Sequence, residues 1–212
     1  MDSNPVSRRE MLHRCLGSGL LLASPALPSS SLVTLWEHLE QGRQKPTPSN
    51  AMGPFYRKRA PRRTKLREPG DPTLPLLVSG KVCDTKGVAL PGAVIQVWHA
   101  DGRGRYDIEG YRYRAELLAT DSGTYQFETV MPGHYPDRVA QHVHYLVTAP
   151  GHKPLITQLY FATDPAFEGD PDRNFMKDPL VESRDLVRPV TLLTGDQSVQ
   201  AAVQFDLCLE RL

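Results

Sequence analysis

From Leu76 to Leu209 the chain runs as short apolar stretches closed by turn signals, and no helical pattern of crossover length separates them. That excludes a doubly wound α/β sheet, in which each pair of parallel strands needs a helix between them. The stretches are Leu76–Cys83, Ala93–His99, Thr124–Val130, Gln141–Thr148, Leu155–Phe161, Val187–Leu193 and Val199–Leu209, with turns such as Asp121-Ser122-Gly123 and Pro132-Gly133. In the last stretch Ala201, Val203, Phe205, Leu207 and Leu209 fall on one face, and Gln200, Gln204 and Asp206 on the other, which predicts a strand buried on one side. Gly and Pro together number 35 in 212 residues, above an average share of about 12%. With 40% hydrophobic residues the chain can bury one core. The pattern predicts an all-β domain over residues 75–212, an antiparallel or mixed β-sandwich.

The segment before it reads differently. Ser7-Arg8-Arg9 is followed by an apolar run from Cys15 to Ala23 and by Ser24 and Ala26, small residues suited to a cleavage site. Residues 1–26 are therefore expected to be an export signal, and the paired arginines resemble the twin-arginine kind, which implies an exported, periplasmic protein. The run is too short to span a bilayer, so the mature chain is expected to have no integral membrane span. Residues 27–74 read as a short N-terminal helix, with Leu32, Leu35, Trp36 and Leu39 at helical spacing, followed by a linker.

The formal charge of the whole chain is +1, which gives no electrostatic reason to seek nucleic acid. Charge is nevertheless uneven. Arg57, Lys58, Arg59, Arg62, Arg63, Lys65 and Arg67 crowd one stretch, and Asp164, Glu168, Asp170, Asp172, Asp178, Glu182 and Asp185 form an acidic counterpart. The basic run reads as a solvated face. Contact between the two runs, within one chain or across a homo-oligomer, is the alternative to that reading. Cys83 and Cys208 lie in strand-like stretches without a redox or zinc spacing, and read as unpaired thiols.

His142-Val143-His144 carries the most chemistry. In a strand, residues i and i+2 project to one side about 6.8 Å apart, so both imidazoles can reach one metal. A bare pair of this kind also suits zinc or copper, or simple hydrogen bonding in a core. Tyr106 and Tyr135, each beside a Gly-containing turn, are candidate further donors, although sandwich-edge aromatics are the simpler reading of either one. A phenol with a pKa near ~10 ligates only where a strongly charged ion displaces its proton, and the hard oxygen then suits ferric iron. Two phenolates and two neutral imidazoles would leave such an ion one net positive charge.

Gly53-Pro54-Phe55-Tyr56, Leu90-Pro91-Gly92-Ala93, Val97 through Tyr106, Pro132-Gly133-His134-Tyr135-Pro136, His142-Val143-His144 and Thr157-Gln158-Leu159-Tyr160-Phe161 together resemble the intradiol ring-cleavage dioxygenases, in that family's order. The resemblance implies the family's β-sandwich and a non-haem Fe(III) centre held by Tyr106, Tyr135, His142 and His144. It places Tyr135 and His142 in axial positions and Tyr106 and His144 in the equatorial plane. It further implies a catechol-type substrate, O2 as co-substrate and a cis,cis-muconate product. Tyr135 would accept a substrate proton, Gln158 would line the pocket, and Arg138 would stabilise the bound ring. Arg138 stands four residues before His142, whereas the family places its arginine three before. His134, adjacent to Tyr135, is expected to face away from the site. A binding module without catalysis, or an enzyme of this fold with another metal, are the competing expectations.

Overall fold

A computed structural model of the chain describes residues 44–135, 138–194 and 198–212; the expected signal and the helix around Leu35 lie outside them. The described residues form ten strands in two mixed sheets. In the first sheet, β1 (Pro75–Asp84) pairs antiparallel with β4 (Thr124–Val130). It also pairs in parallel with β9 (Ala201–Gln204) and then β10 (Leu207–Leu209), and β8 (Val190–Leu192) closes onto β9. The second sheet runs in the order β3 (Arg114–Leu118), β2 (Val94–Trp98), β5 (His142–Thr148), β6 (Leu155–Phe161), β7 (Val187–Arg188). Among the described residues no helix is long and apolar enough to cross a membrane.

Alternation decides which face each strand buries. In β4, Tyr125 and Phe127 turn inward while Thr124 and Gln126 remain exposed. Tyr145 of β5 packs against Tyr125, Phe127 and Phe205, so the core lies where the two sheets face each other. Ile95, Val97, Val78 and Val203 fill the same layer and are almost fully buried.

The strand pattern of the sequence is present, with three departures. The stretch Val187–Leu193 divides into β7 and β8, which belong to different sheets, and Pro189 between them has no N–H to continue either ladder. The stretch Val199–Leu209 divides at Phe205–Asp206 because the Lys81 N–H is taken by the Asp206 side chain, 2.9 Å away, instead of by a backbone carbonyl. At this point the strands approach so closely that a Cβ on Gly80 would lie 2.0 Å from the Phe205 carbonyl oxygen. The third departure is β3, whose residues Arg-Ala-Glu-Leu-Leu favour helix and carry no strand signal. Pairing with β2 along its whole length overrides that preference.

Residues 44–66, linker-like in sequence, are laced to the sandwich. The Asn50 N–H donates to the Ile156 carbonyl, Glu116 N–H to Pro61, and Leu66 N–H to Glu128. Leu66 enters the core. The basic run does not meet the acidic one among the described residues. Arg62 pairs with Glu116 and Lys65 with Glu128, while the acidic set pairs locally or turns inward. Cys83 and Cys208 are register partners on β1 and β10, both buried and both free thiols.

Candidate metal centre

The antiparallel registers of the second sheet put Arg114, Trp98, His144 and Gln158 opposite one another on β3, β2, β5 and β6. Paired residues project to the same side, so these four form a row on the face turned away from the core, with His142 and Tyr160 as the next pair. Trp98 lies flat on the His144 ring, centroids 5.0 Å apart and planes 2° from parallel.

The tyrosines arrive from two loops that touch. The Asp101 side chain accepts from the N–H groups of Arg103 and Arg105 and folds the chain after β2 into a tight turn. Gly104 there has φ +76°, and a Cβ on it would meet the His134 carbonyl oxygen at 1.8 Å. Only glycine permits this contact between the loop of Tyr106 and the loop of Tyr135. Their rings stand 5.6 Å apart, edge to face.

Tyr106, Tyr135, His142 and His144 therefore converge. The Tyr106 hydroxyl is 3.3 Å from His142 Nε2. Ring centroids are 4.8 Å apart for the two histidines and 5.7 Å for Tyr135 and His142. His142 Nδ1 lies 2.8 Å from the Ala140 carbonyl, to which it donates, and so Nε2 is left as the lone-pair nitrogen facing the tyrosines. His134 faces elsewhere: its Nε2 is 2.9 Å from Asp164 Oδ1.

Burial keeps the four side chains uncharged. Burial, assisted by the charge of Arg138, pushes His142 down to about 3, and burial with the neighbouring His142 pushes His144 well below the ordinary imidazole value. Both rings are neutral, the form that ligates metals. Burial raises both tyrosines, Tyr106 strongly, so their protons leave only for a strongly charged partner. Both ring nitrogens of His144 are buried without a hydrogen-bond partner, a costly state that metal ligation would relieve at one of them. Among the described residues no group of three or more His, Cys, Asp or Glu is placed to hold a metal, and the further donor groups beside the two histidines are the tyrosines.

Arg138 and Gln158 reach the same place. Although its spacing from His142 is one residue longer than the resemblance implies, buried Arg138 sets Nη1 3.5 Å from His142 Nε2. Its Nη2 donates to the Gln158 side chain at 3.1 Å and to the Tyr160 hydroxyl at 2.9 Å. Gln158 uses its whole amide: the oxygen accepts from Arg138 and Tyr160, and the nitrogen donates to Asn50 Oδ1 and the Ala51 carbonyl. Phe55 stacks on Tyr106 with centroids 4.1 Å apart. Buried Arg114 donates to the carbonyls of Phe55 and Asp107, with its guanidinium 5.9 Å from the centre of the Tyr106 ring. Sequence reasoning missed Arg114 along with β3, and gave Asp178 no role beyond its place in the acidic run.

A family model described as Dioxygenase matches residues 51–211. The chain is 30% identical over 210 residues to a chlorocatechol 1,2-dioxygenase of Rhodococcus opacus, an alignment covering 84% of this chain and 77% of that one. This chain belongs to the intradiol dioxygenase family. Its membership makes it a relative of ring-cleaving oxidoreductases such as the catechol 1,2-dioxygenase of Acinetobacter baylyi, 27% identical with 81% of this chain and 64% of that one covered. A hydroxyquinol 1,2-dioxygenase of Nocardioides simplex is 30% identical, with 77% and 64% covered. Among solved structures, the dioxygenase domain of a carbohydrate-binding fusion from Streptomyces sp. SirexAA-E matches at TM-score 0.66 and 31% identity, covering 79% of this chain and all of that domain. This dioxygenase-family chain thus spans about two thirds of the length of two of the three enzymes compared with it, and the dioxygenase domain of the fusion in full.

Proposed function

We propose that the chain is a non-haem Fe(III)-dependent intradiol dioxygenase that opens an ortho-diphenol ring with O2 to a cis,cis-muconate-type product. The convergence of Tyr106, Tyr135, His142 and His144, with both His144 nitrogens buried and unpartnered, carries this reading. A ferric ion held by these four side chains would supply the Lewis acidity that draws electron density out of a bound catecholate. The catechol substrate class is supported by what the related enzymes are named for.

The protein groups divide the remaining work. Tyr135, raised less strongly than Tyr106, is the base: once a bound cation has displaced its own proton, its phenolate oxygen would take one from a substrate hydroxyl. Tyr106 stays in place under Phe55 and beside Arg114. Arg138 offers Nη1 toward the site and steadies negative charge that develops on the substrate oxygens. Gln158, with its amide fully engaged, holds Arg138 and the Asn50–Ala51 segment in position. Trp98 and Phe55 give the site apolar walls that limit water.

Iron loading tests the centre. The protein should take up about one ferric ion per chain and turn red-brown from tyrosinate charge transfer. Colourless protein that binds zinc in place of iron would contradict the reading.

A further inference from the structure

The excursion between β6 and β7 carries seven acidic residues, and two of them, Asp164 and Asp178, are buried to 1% exposure. Both grip the loop that bears Tyr135 and Arg138. Asp164 Oδ1 accepts from His134 Nε2 at 2.9 Å, and its Oδ2 from the Gln141 N–H at 2.6 Å. Asp178 Oδ2 accepts from Arg138 Nε at 3.3 Å and from the Ala140 N–H at 3.0 Å, while Oδ1 takes the Leu180 N–H at 2.9 Å.

Of the three guanidinium nitrogens of Arg138, Nε is held by Asp178 and Nη2 by Gln158 and Tyr160. Nη1 is the one turned to His142. A carboxylate on the far side of the guanidinium does two things at once. It fixes the rotation of the side chain about its long axis, and it offsets a positive charge that would otherwise repel a cation beside His142. Arg138 precedes β5, which begins at His142, and makes only an isolated bridge to Tyr135, so its direction is set by its side-chain partners and not by a strand ladder.

We propose that Asp178 is a positioning residue for ring cleavage, acting through Arg138. The proposal rests on the ring-cleavage reading above. The experiment compares the iron-loaded full chain with Asp178→Asn, Arg138→Gln and the double variant, measuring kcat and KM for catechol and iron per chain. Asp178→Asn should keep its iron and lose kcat by about 10- to 100-fold, with a smaller change in KM. The double variant should be no slower than Arg138→Gln alone if Asp178 acts on the substrate through Arg138 and not through its bond to the Ala140 N–H beside His142. Asp84→Asn, which removes a different buried carboxylate far from the site, should lower the melting temperature and leave turnover per iron unchanged.

Wild-type turnover per iron in Asp178→Asn, or a double variant slowed by the product of the two single effects, overturns the proposal. If Asp178→Asn does not fold, Tyr160→Phe removes the opposite anchor and must show the same loss and the same non-additivity with Arg138→Gln; full activity there overturns it equally. Iron-bound wild type that turns over none of catechol, chlorocatechol and hydroxyquinol defeats the ring-cleavage reading instead. The positioning role is then read from optical titration with 4-nitrocatechol, whose affinity Asp178→Asn should weaken about tenfold only while Arg138 is present; equal affinity overturns it.

Discussion

At the scale of single residues, the four site side chains differ in what their loss should do. His142 and His144 are neutral nitrogen donors with no substitute nearby, so His142→Ala or His144→Ala should lose iron and activity together. Tyr135→Phe removes the base but leaves three donors, so activity per bound iron should fall by at least about 10²-fold while part of the iron is kept. Parallel iron assays and turnover measurements separate the two outcomes; full activity per iron in Tyr135→Phe would exchange its role with that of Tyr106. His99 makes a different prediction. It is buried away from solvent, with Nδ1 at the Ala100 carbonyl and Nε2 at Thr129, and burial pushes it down to about 4. Its folded value lies below the unfolded ~6.5, so between pH 6.5 and 4 the unfolded chain binds a proton that the folded chain refuses. Stability present above pH 6.5 should drain by a few kcal/mol as pH falls to 4, and the stability of His99→Gln, measured by urea unfolding at each pH, should fall less over that range.

Elements differ in how openly the sequence announces them. β4, β5 and β6 were legible because alternation and β-branched or aromatic residues agree with the pairing they enter. His142 and His144 were legible for the same reason, since a strand's period puts them on one side. Tyr106 and Tyr135 could be named from glycine turns, and His134 could be set aside, but the contact between their loops through Gly104 is a tertiary fact. The row Arg114, Trp98, His144, Gln158 is set by register across three strand pairs, which no single stretch of sequence encodes. β3 was hidden by helix-favouring residues, and the breaks at Pro189 and Asp206 came from one missing donor and one competing side chain. The close approach at Gly80 gives a test at this scale. Gly80→Ala must push β1 away from the Phe205 backbone and should destabilise the fold by about 3 kcal/mol, measured by urea denaturation; a loss under about 0.5 kcal/mol would mean the strands separate at little cost.

Across the whole molecule, two sheets supply a rigid core and leave one outer face of the second sheet for chemistry. Two touching loops bring in the tyrosines, residues 44–66 cover part of that face, and the excursion after β6 sends two carboxylates beneath the Tyr135 loop. Charge runs were the least informative sequence feature, because acidic residues that look alike in a list divide between solvent and a buried clamp once the chain is folded. The ring-cleavage account is tested most directly by oxygen uptake of the iron-loaded protein with catechol, coupled to the mass of the product. One O2 consumed per catechol, a product heavier by two oxygen atoms, and no uptake by metal-free protein is the predicted result. A chain that carries one ferric ion yet consumes no oxygen with catechol, chlorocatechol or hydroxyquinol would contradict it.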